Sequence, residues 1–175
     1  MNQAERYARS QPCLAPHVGE AHHVDVISVA TDAELRPFIA AAFSYQPGWL
    51  RLLFFLRKGL ARLMGLRHED QPKGPRYTIK DIPMQPGQNF SLFRVVHAEE
   101  NAAWVGAIED KHLDAQLAIL RWPDAPKGPR MLLATVVHHN RWTGRVYFTL
   151  ILPFHYLVVR AMARYGARNA RAASP

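Results

Sequence analysis

Cysteine is nearly absent from this 175-residue sequence, which contains Cys13 alone. A single thiol cannot form a disulfide within the chain, and it cannot supply the set of thiolates that structural zinc sites need. A chain of this length buries about 70% of the surface that its unfolded form exposes, so an apolar core can hold it without cross-links. Its composition, 49% hydrophobic and 21% charged, is that of one globular domain, and we expect a reducing, cytoplasmic location.

Acidic residues are absent after Asp124, although the sequence contains 14 of them. The basic residues beyond that point are Lys127, Arg130, Arg141, Arg145, Arg160, Arg164, Arg168 and Arg171, and they account for the whole net charge of +8. The asymmetry has two interpretations: a surface that meets anions, or a basic helix end that complements its own dipole. These charges form no continuous run and are not interleaved with exposed aromatics, so we expect no nucleic-acid partner.

Long hydrophobic runs are also missing. The longest uncharged stretch near the C terminus, 146–159, has 14 residues, whereas a membrane span needs about 20, and it contains Thr149, Pro153 and His155. We therefore predict a buried helix there rather than an anchor. The first 20 residues lack the apolar centre of a secretory signal, and we predict a loose arm over 1–20, one domain over 21–170 and a disordered tail over 171–175.

Hydrophobic periodicity predicts an α+β domain. A strand over 24–29 precedes a helix that Thr31 or Asp32 caps and that ends at Phe43, and a second helix begins near Trp49. Further strands are predicted over 77–82, 89–97, 102–108, 112–121 and 131–138, followed by a long helix over 145–168 that Pro153 kinks. Alternation along the strand after His112 indicates one buried and one wetter face. This order predicts a curved antiparallel sheet wrapped around the long C-terminal helix.

The order of elements over 24–168 resembles the helix-grip fold of the START and Bet v 1-like superfamily. The resemblance implies a cavity between the long helix and the concave face of the sheet. Its candidate lining residues are Trp49, Phe54, Trp104, Arg145, Tyr147, Phe148, Phe154 and His155. We hypothesise that this cavity binds a small hydrophobic or amphipathic molecule, with Arg145 or His112 as its polar anchor. The alternatives are ordinary core packing for the aromatics and, for His155, a structural bond to the carbonyl that Pro153 frees.

A second hypothesis is acid–base catalysis of an isomerase, cyclase or hydratase type. In an extended strand, Asp110, His112 and Asp114 point to one side, where a carboxylate can orient the imidazole and raise its basicity. His112 would then be the general base. The alternative is a charged hairpin turn whose side chains face solvent, because Leu113 and Leu117 on the opposite side are typical of a core.

A third hypothesis is weak, reversible contact with an anionic membrane. The predicted helix from Trp49 to Met64 carries Arg51 beside apolar residues such as Phe54 and Phe55. Amphipathic helices of this composition lie in the membrane interface. The alternative is a helix buried on two sides. The sequence does not indicate an oligomeric state.

We predict neither a metal site nor a cofactor. Four of the nine histidines, His112, His138, His139 and His155, lie in or beside the predicted elements. Their spacing matches no metalloenzyme motif, and neighbouring side chains in a strand point apart, so structural roles are expected. No strand is followed by a Gly-x-Gly-x-x-Gly turn, which excludes dinucleotide binding by that route. Cys13 has no nearby base that would make it a nucleophile.

Four motifs lie between Pro47 and His155. They are Pro47-Gly48-Trp49-Leu50 with Leu56-Arg57, Asp110-Lys111-His112-Leu113-Asp114, Ala134-Thr135-Val136-Val137 followed by His139-Asn140, and Gly144-Arg145-Val146-Tyr147-Phe148 with Ile151-Leu152-Pro153-Phe154-His155. In these motifs the sequence resembles DUF2867, a bacterial family of unknown function whose members occur alone or behind a short-chain-dehydrogenase-like domain. The resemblance implies a fold and a pocket, but no particular reaction.

Overall fold

The computed structural model describes residues 1–63, 76–109 and 111–173, and it confirms the α+β class. The helices are α1 (Gln3–Ser10), α2 (Ala15–Val18), α3 (Leu35–Phe43), α4 (Gly48–Leu63) and α5 (Trp142–Asn169). The strands are β1 (His23–Ala30), β2 (Asn89–Phe90), β3 (Phe93–Glu99), β4 (Ala103–Glu109), β5 (Leu113–Trp122) and β6 (Arg130–His139). Short 3-10 turns span Ile79–Asp81 and Ala170–Ala173.

The strands form one curved, unclosed antiparallel sheet in the order β1-β6-β5-β4-β3-β2. Strands β2 to β6 follow one another as a meander, but the single strand predicted over 89–97 is divided by a turn into β2 and β3. Strand β1 joins the sheet from far along the chain, with His23 opposite Val137 of β6. A β-bulge between Val95 and His97 shifts the register of β3 against β4. Because α5 packs on β1 and β6, the predicted placement of the long helix against the sheet is confirmed, and the arrangement is compatible with a helix-grip fold.

Both faces of the sheet contribute to a core. One face packs against α3 and α5 in a cluster that contains Trp104 and Ile119. The opposite face carries Ala118, which belongs to a second cluster with Ala8 and Leu14 from the N-terminal segment. The prediction that one face of β5 is wetter is therefore wrong for the second half of this strand, because N-terminal residues cover that face.

The first 20 residues, for which the sequence predicts a loose arm, carry two helices. The side chain of Asn2 caps α1 by accepting a hydrogen bond from the Glu5 N–H at 2.8 Å. Tyr7 stacks on Trp122 of β5 with ring centroids 4.5 Å apart, and Leu14 is buried against the sheet. A few apolar side chains at suitable spacing thus attach the first 20 residues to the sheet, although this segment is polar on average.

Two local predictions are wrong in ways that side-chain bonding explains. The predicted strand over 77–82 is replaced by the Ile79–Asp81 turn, because the carboxylate of Asp81 accepts bonds from both the N–H and the hydroxyl of Thr78. Helix α3 begins at Leu35 and not beside Thr31, whose hydroxyl oxygen accepts the N–H of Ala33 in a local turn.

Helix α5 has one buried side and one exposed side. Tyr147, Phe148 and Val159 are buried, and the helix continues through Pro153. The prediction of a buried helix over 146–159 therefore holds for the inner side only. Within the described part of the chain, α5 is the one helix long and apolar enough to cross a membrane, a test that core helices of soluble proteins also pass.

Candidate functional site

Of the predicted acid–base residues, His112 lies in the turn before β5 and Asp114 lies within β5. Asp110 falls outside the described residues. The ring Nδ1 of His112 lies 2.9 Å from the hydroxyl oxygen of Thr143 in α5, and Asp114 pairs in register with Glu109 and His138. His112 thus connects the turn to the first turn of α5. Its role as a general base stays a prediction.

The predicted cavity-lining residues are spread over the molecule. Trp104 is fully buried in the core, where its indole N–H donates to the carbonyl of Pro83 at 3.1 Å. Trp49 is half-exposed beside Tyr45, and the side chain of Phe54 lies outside the described residues. Of the α5 residues, Tyr147 and Phe148 are buried, His155 is half-buried, and Arg145 and Phe154 are exposed. Core packing, the alternative interpretation, applies to Trp104.

A buried carboxylate, Asp25 of β1, marks a different site between the sheet and α5. Its side chain is 4% exposed, and its Oδ1 lies 3.1 Å from His23 Nε2 and 3.7 Å from His155 Nε2. The same His155 nitrogen lies 3.2 Å from the hydroxyl oxygen of Thr135, the residue opposite Asp25 in β6. We call these four residues the Asp25 cluster. Because a buried carboxylate is costly without polar partners, the two imidazoles stabilise it.

Aromatic rings enclose the Asp25 cluster. The ring of Phe148 lies 5.1 Å from that of His23 and 6.2 Å from that of His155. Tyr156 contacts the same two rings at 6.2 and 6.3 Å. Burial raises the pKa of the Tyr156 phenol, and the negative charge of Asp25 adds to that rise. The phenol therefore stays protonated at neutral pH and can serve as a donor.

Next to the Asp25 cluster, a groove of about 530 Å³ runs between β1 and α5. It is lined by Val26, Ile27, Ser28, Val29, Tyr156, Leu157, Arg160 and Arg164. Strand β1 is the edge of the sheet, so only its β6 side is paired within the sheet. Helix α5 runs in the same direction as β1, since His155 lies near Asp25 and Arg171 pairs with Asp32. Tyr156 therefore marks the groove end beside the Asp25 cluster, and the arginines mark the other end.

Sequence reasoning missed this site, although one signal for it was present. Asp25 interrupts an apolar strand, with Val24 and Val26 on either side. It shares a face with Ile27, which packs into the core, so the alternation already placed a carboxylate on a buried face. A buried acid needs partners, and they come from His23 on the same strand and from His155 of α5, which also contacts Thr135 of β6. His155 makes a structural contact there, with its Nε2 3.2 Å from the hydroxyl oxygen of Thr135, and a bond to the carbonyl freed by Pro153 stays a prediction.

Comparison with known proteins identifies a family but no activity. The family model described as "Protein of unknown function (DUF2867)" matches residues 17–162. The chain belongs to the DUF2867 family. No match was found among curated proteins. The DUF2867 match includes the whole Asp25 cluster and all of the groove except Arg164.

His139 makes the stability of this DUF2867 protein sensitive to acid. Burial lowers the pKa of its imidazole, and the positive charges of His22 and Arg145 lower it further. The unfolded chain therefore binds a proton at His139 near pH 6.5, whereas the folded chain binds it only at lower pH. The contribution of His139 to stability is complete above about pH 6.5 and is lost as the pH falls through the folded pKa.

We expect His139→Asn to reduce the fall in unfolding free energy between pH 7 and pH 5, measured by urea denaturation at several pH values. His17→Asn, at an exposed position in α2, serves as the control and should leave the slope unchanged. Equal slopes for wild type and His139→Asn would contradict the assignment.

Proposed function

We propose that this protein binds a small amphipathic molecule with an anionic group in the groove between β1 and α5. The observation that carries the proposal is the combination of Ile27, Val29 and Leu157 with Arg160 and Arg164 around one space. Its volume of about 530 Å³ falls within the range of small-molecule sites. The apolar residues would contact the hydrocarbon part, and the guanidinium groups would hold the anion.

The charges around the groove favour an anion over a neutral ligand. Among the residues that the structure describes, no carboxylate forms an ion pair with Arg160 or Arg164. The sequence contains no acidic residue after Asp124, so α5 itself supplies no counter-charge. Guanidinium groups bind carboxylates and phosphates through paired, charge-assisted hydrogen bonds. Both anion types therefore suit this end of the groove.

The edge of β1 that faces away from β6 adds backbone N–H donors to the groove. The N–H of Thr31 donates to the carbonyl of Pro129, and bonded and unbonded residues alternate along an antiparallel pair. By this alternation the N–H groups of Val26 and Ser28 point away from β6, toward the side on which the groove lies. Polar atoms of a ligand can pair with them, which satisfies groups that otherwise depend on water.

Calorimetric titration with octanoate and octyl phosphate, below their micellar concentrations, tests the proposal. We expect wild-type protein to bind both, and to bind the neutral octyl glucoside at least about tenfold more weakly, because charge-assisted bonds would be missing. Arg160→Gln and Arg164→Gln should each weaken octanoate binding about tenfold or more for the same reason.

The matched control is Arg168→Gln, one turn further along α5, exposed and outside the groove. Its octanoate affinity should equal that of the wild type. Absence of octanoate and octyl phosphate binding to the wild type, or an unchanged affinity in both groove variants, would refute the proposed site.

A further inference from the structure

The outer side of α5 is one continuous exposed face. Positions three or four residues apart lie one above another on a helix. The residues that this spacing aligns, every one of them exposed, are Trp142, Val146, Leu150, Pro153, Leu157, Arg160, Arg164 and Arg168. We call this set the α5 outer face. Its first five members are apolar, and its last three are arginines.

The apolar half of the α5 outer face is a large apolar area for a protein surface that faces water. Trp142 is 76% exposed, Leu157 54% and Leu150 49%. The distance along the axis from Trp142 to Leu157 is about 22 Å at the helical rise per residue. Extended apolar surfaces of this kind mark sites that another apolar phase or partner covers.

Contacts on the opposite side keep α5 attached to the sheet. Tyr147 and Phe148 are buried, and His155 bonds to Thr135 of β6. A helix held in this way can offer its outer face to a surface, but cannot cross a bilayer without leaving the domain. Its geometry is that of a helix that lies flat in the membrane interface.

The charges on and beside this face select the kind of surface. Arg160, Arg164 and Arg168 continue the apolar half, and the exposed Arg141 and Arg145 lie at its start. A second copy of the chain would bring no carboxylate from its own α5 outer face to these arginines, because that face contains none. Lipid phosphates do supply the counter-charge, and each basic residue near an anionic bilayer strengthens binding.

Trp142 fits the same interpretation. Tryptophan concentrates at membrane–water interfaces, where its ring is partly apolar and its N–H stays hydrated. It stands at the start of α5, beside Arg141. Helix α4 also exposes Leu52 and Phe55 next to Arg51, a second surface of similar chemistry.

We propose that the α5 outer face is a docking surface for an anionic lipid bilayer. This inference goes beyond ligand binding in the groove, and Trp142, Val146 and Leu150 lie outside that groove. Docking places the apolar half among the acyl chains nearest the headgroups and the arginines among the phosphates. Binding then depends on anionic lipid and decreases as salt screens the charges.

Sedimentation with vesicles tests this docking surface. We expect wild-type protein to pellet with vesicles of equal phosphatidylcholine and phosphatidylglycerol at low salt, and much less with phosphatidylcholine alone or at 500 mM salt. Leu150→Asp and Val146→Asp should each weaken partitioning at least about tenfold, because a carboxylate replaces an inserted apolar group. Both positions are exposed, and circular dichroism checks that the variants fold.

The matched control is Val96→Asp, an exposed apolar residue on β3, which should bind vesicles as the wild type does. Lack of pelleting with the anionic vesicles, or equal binding by Leu150→Asp and wild type, would overturn the proposal. So would a wild-type dimer in sedimentation velocity that Leu150→Asp dissociates, since a second copy would then cover this face. Octanoate titration of Leu150→Asp separates the two proposals, because its groove is intact.

Discussion

Replacing Trp104 by alanine is expected to lower the free energy of unfolding by about 3–5 kcal/mol. Its side chain is fully buried, and its ring contacts Phe43, Phe90 and Phe93 at centroid distances of 6.2, 5.8 and 6.2 Å. Truncation leaves a large cavity among these rings and also removes the indole donor to Pro83. Because whole domains of this type are stable by about 5–15 kcal/mol, the variant should lose a large share of its stability.

Urea denaturation followed by circular dichroism measures this loss. Trp104→Phe is the matched control, because it keeps an aromatic ring in the cluster and removes the N–H donor. We expect Trp104→Phe to cost about half as much as Trp104→Ala or less. A loss below about 1 kcal/mol for Trp104→Ala would contradict a core position and favour the lining role that the sequence also allowed.

Gly144→Ala is expected to destabilise the protein by about 3 kcal/mol, although alanine normally strengthens a helix. A Cβ at this position would lie 2.0 Å from the carbonyl oxygen of His112. That oxygen also accepts the N–H groups of Asn140 and Arg141 at 3.0 and 3.3 Å, so it cannot move without breaking the start of α5. Glycine is required here for close approach of two backbone segments.

Two other glycines provide graded controls for this prediction. A Cβ at Gly59 of α4 meets nothing within 4 Å, so Gly59→Ala should raise the unfolding free energy by up to about 1 kcal/mol. At Gly166 of α5 a Cβ would lie 3.0 Å from the Ala42 side chain, and an intermediate effect is expected. Equal stability of Gly144→Ala and wild type would show that the turn before β5 is not in close contact with α5 at this position.

The sheet and its long helix could be predicted from local periodicity, whereas the covering of its second face could not. Alternation along β5 separates Ile119 from Ala118, and the structure keeps them on opposite faces. Periodicity does not say what lies above each face. The cover over Ala118 comes from Ala8 and Leu14 in a polar segment, and only tertiary packing shows that these two side chains are enough.

The candidate site was less accessible to sequence reasoning because its parts are distant in the chain. Asp25, Thr135 and His155 meet only when β1, β6 and α5 assemble. Short-range patterns instead highlighted Asp110, His112 and Asp114, which are adjacent in sequence. The surplus of C-terminal arginines was visible, but the apolar wall opposite Arg160 was not, since it comes from β1.

Pairing of β1 with β6 also determines when folding can finish. Strand β1 is made before β6, its partner in the sheet among the described residues, which lies about 110 residues later. At ordinary rates of synthesis the strand waits on the order of ten seconds before β6 exists. During that time Val24, Val26 and Val29 form an unpaired apolar β-segment, the type that aggregates. We expect the charge of Asp25 within this segment to oppose aggregation until β6 is made, after which the side chain is buried beside two histidines.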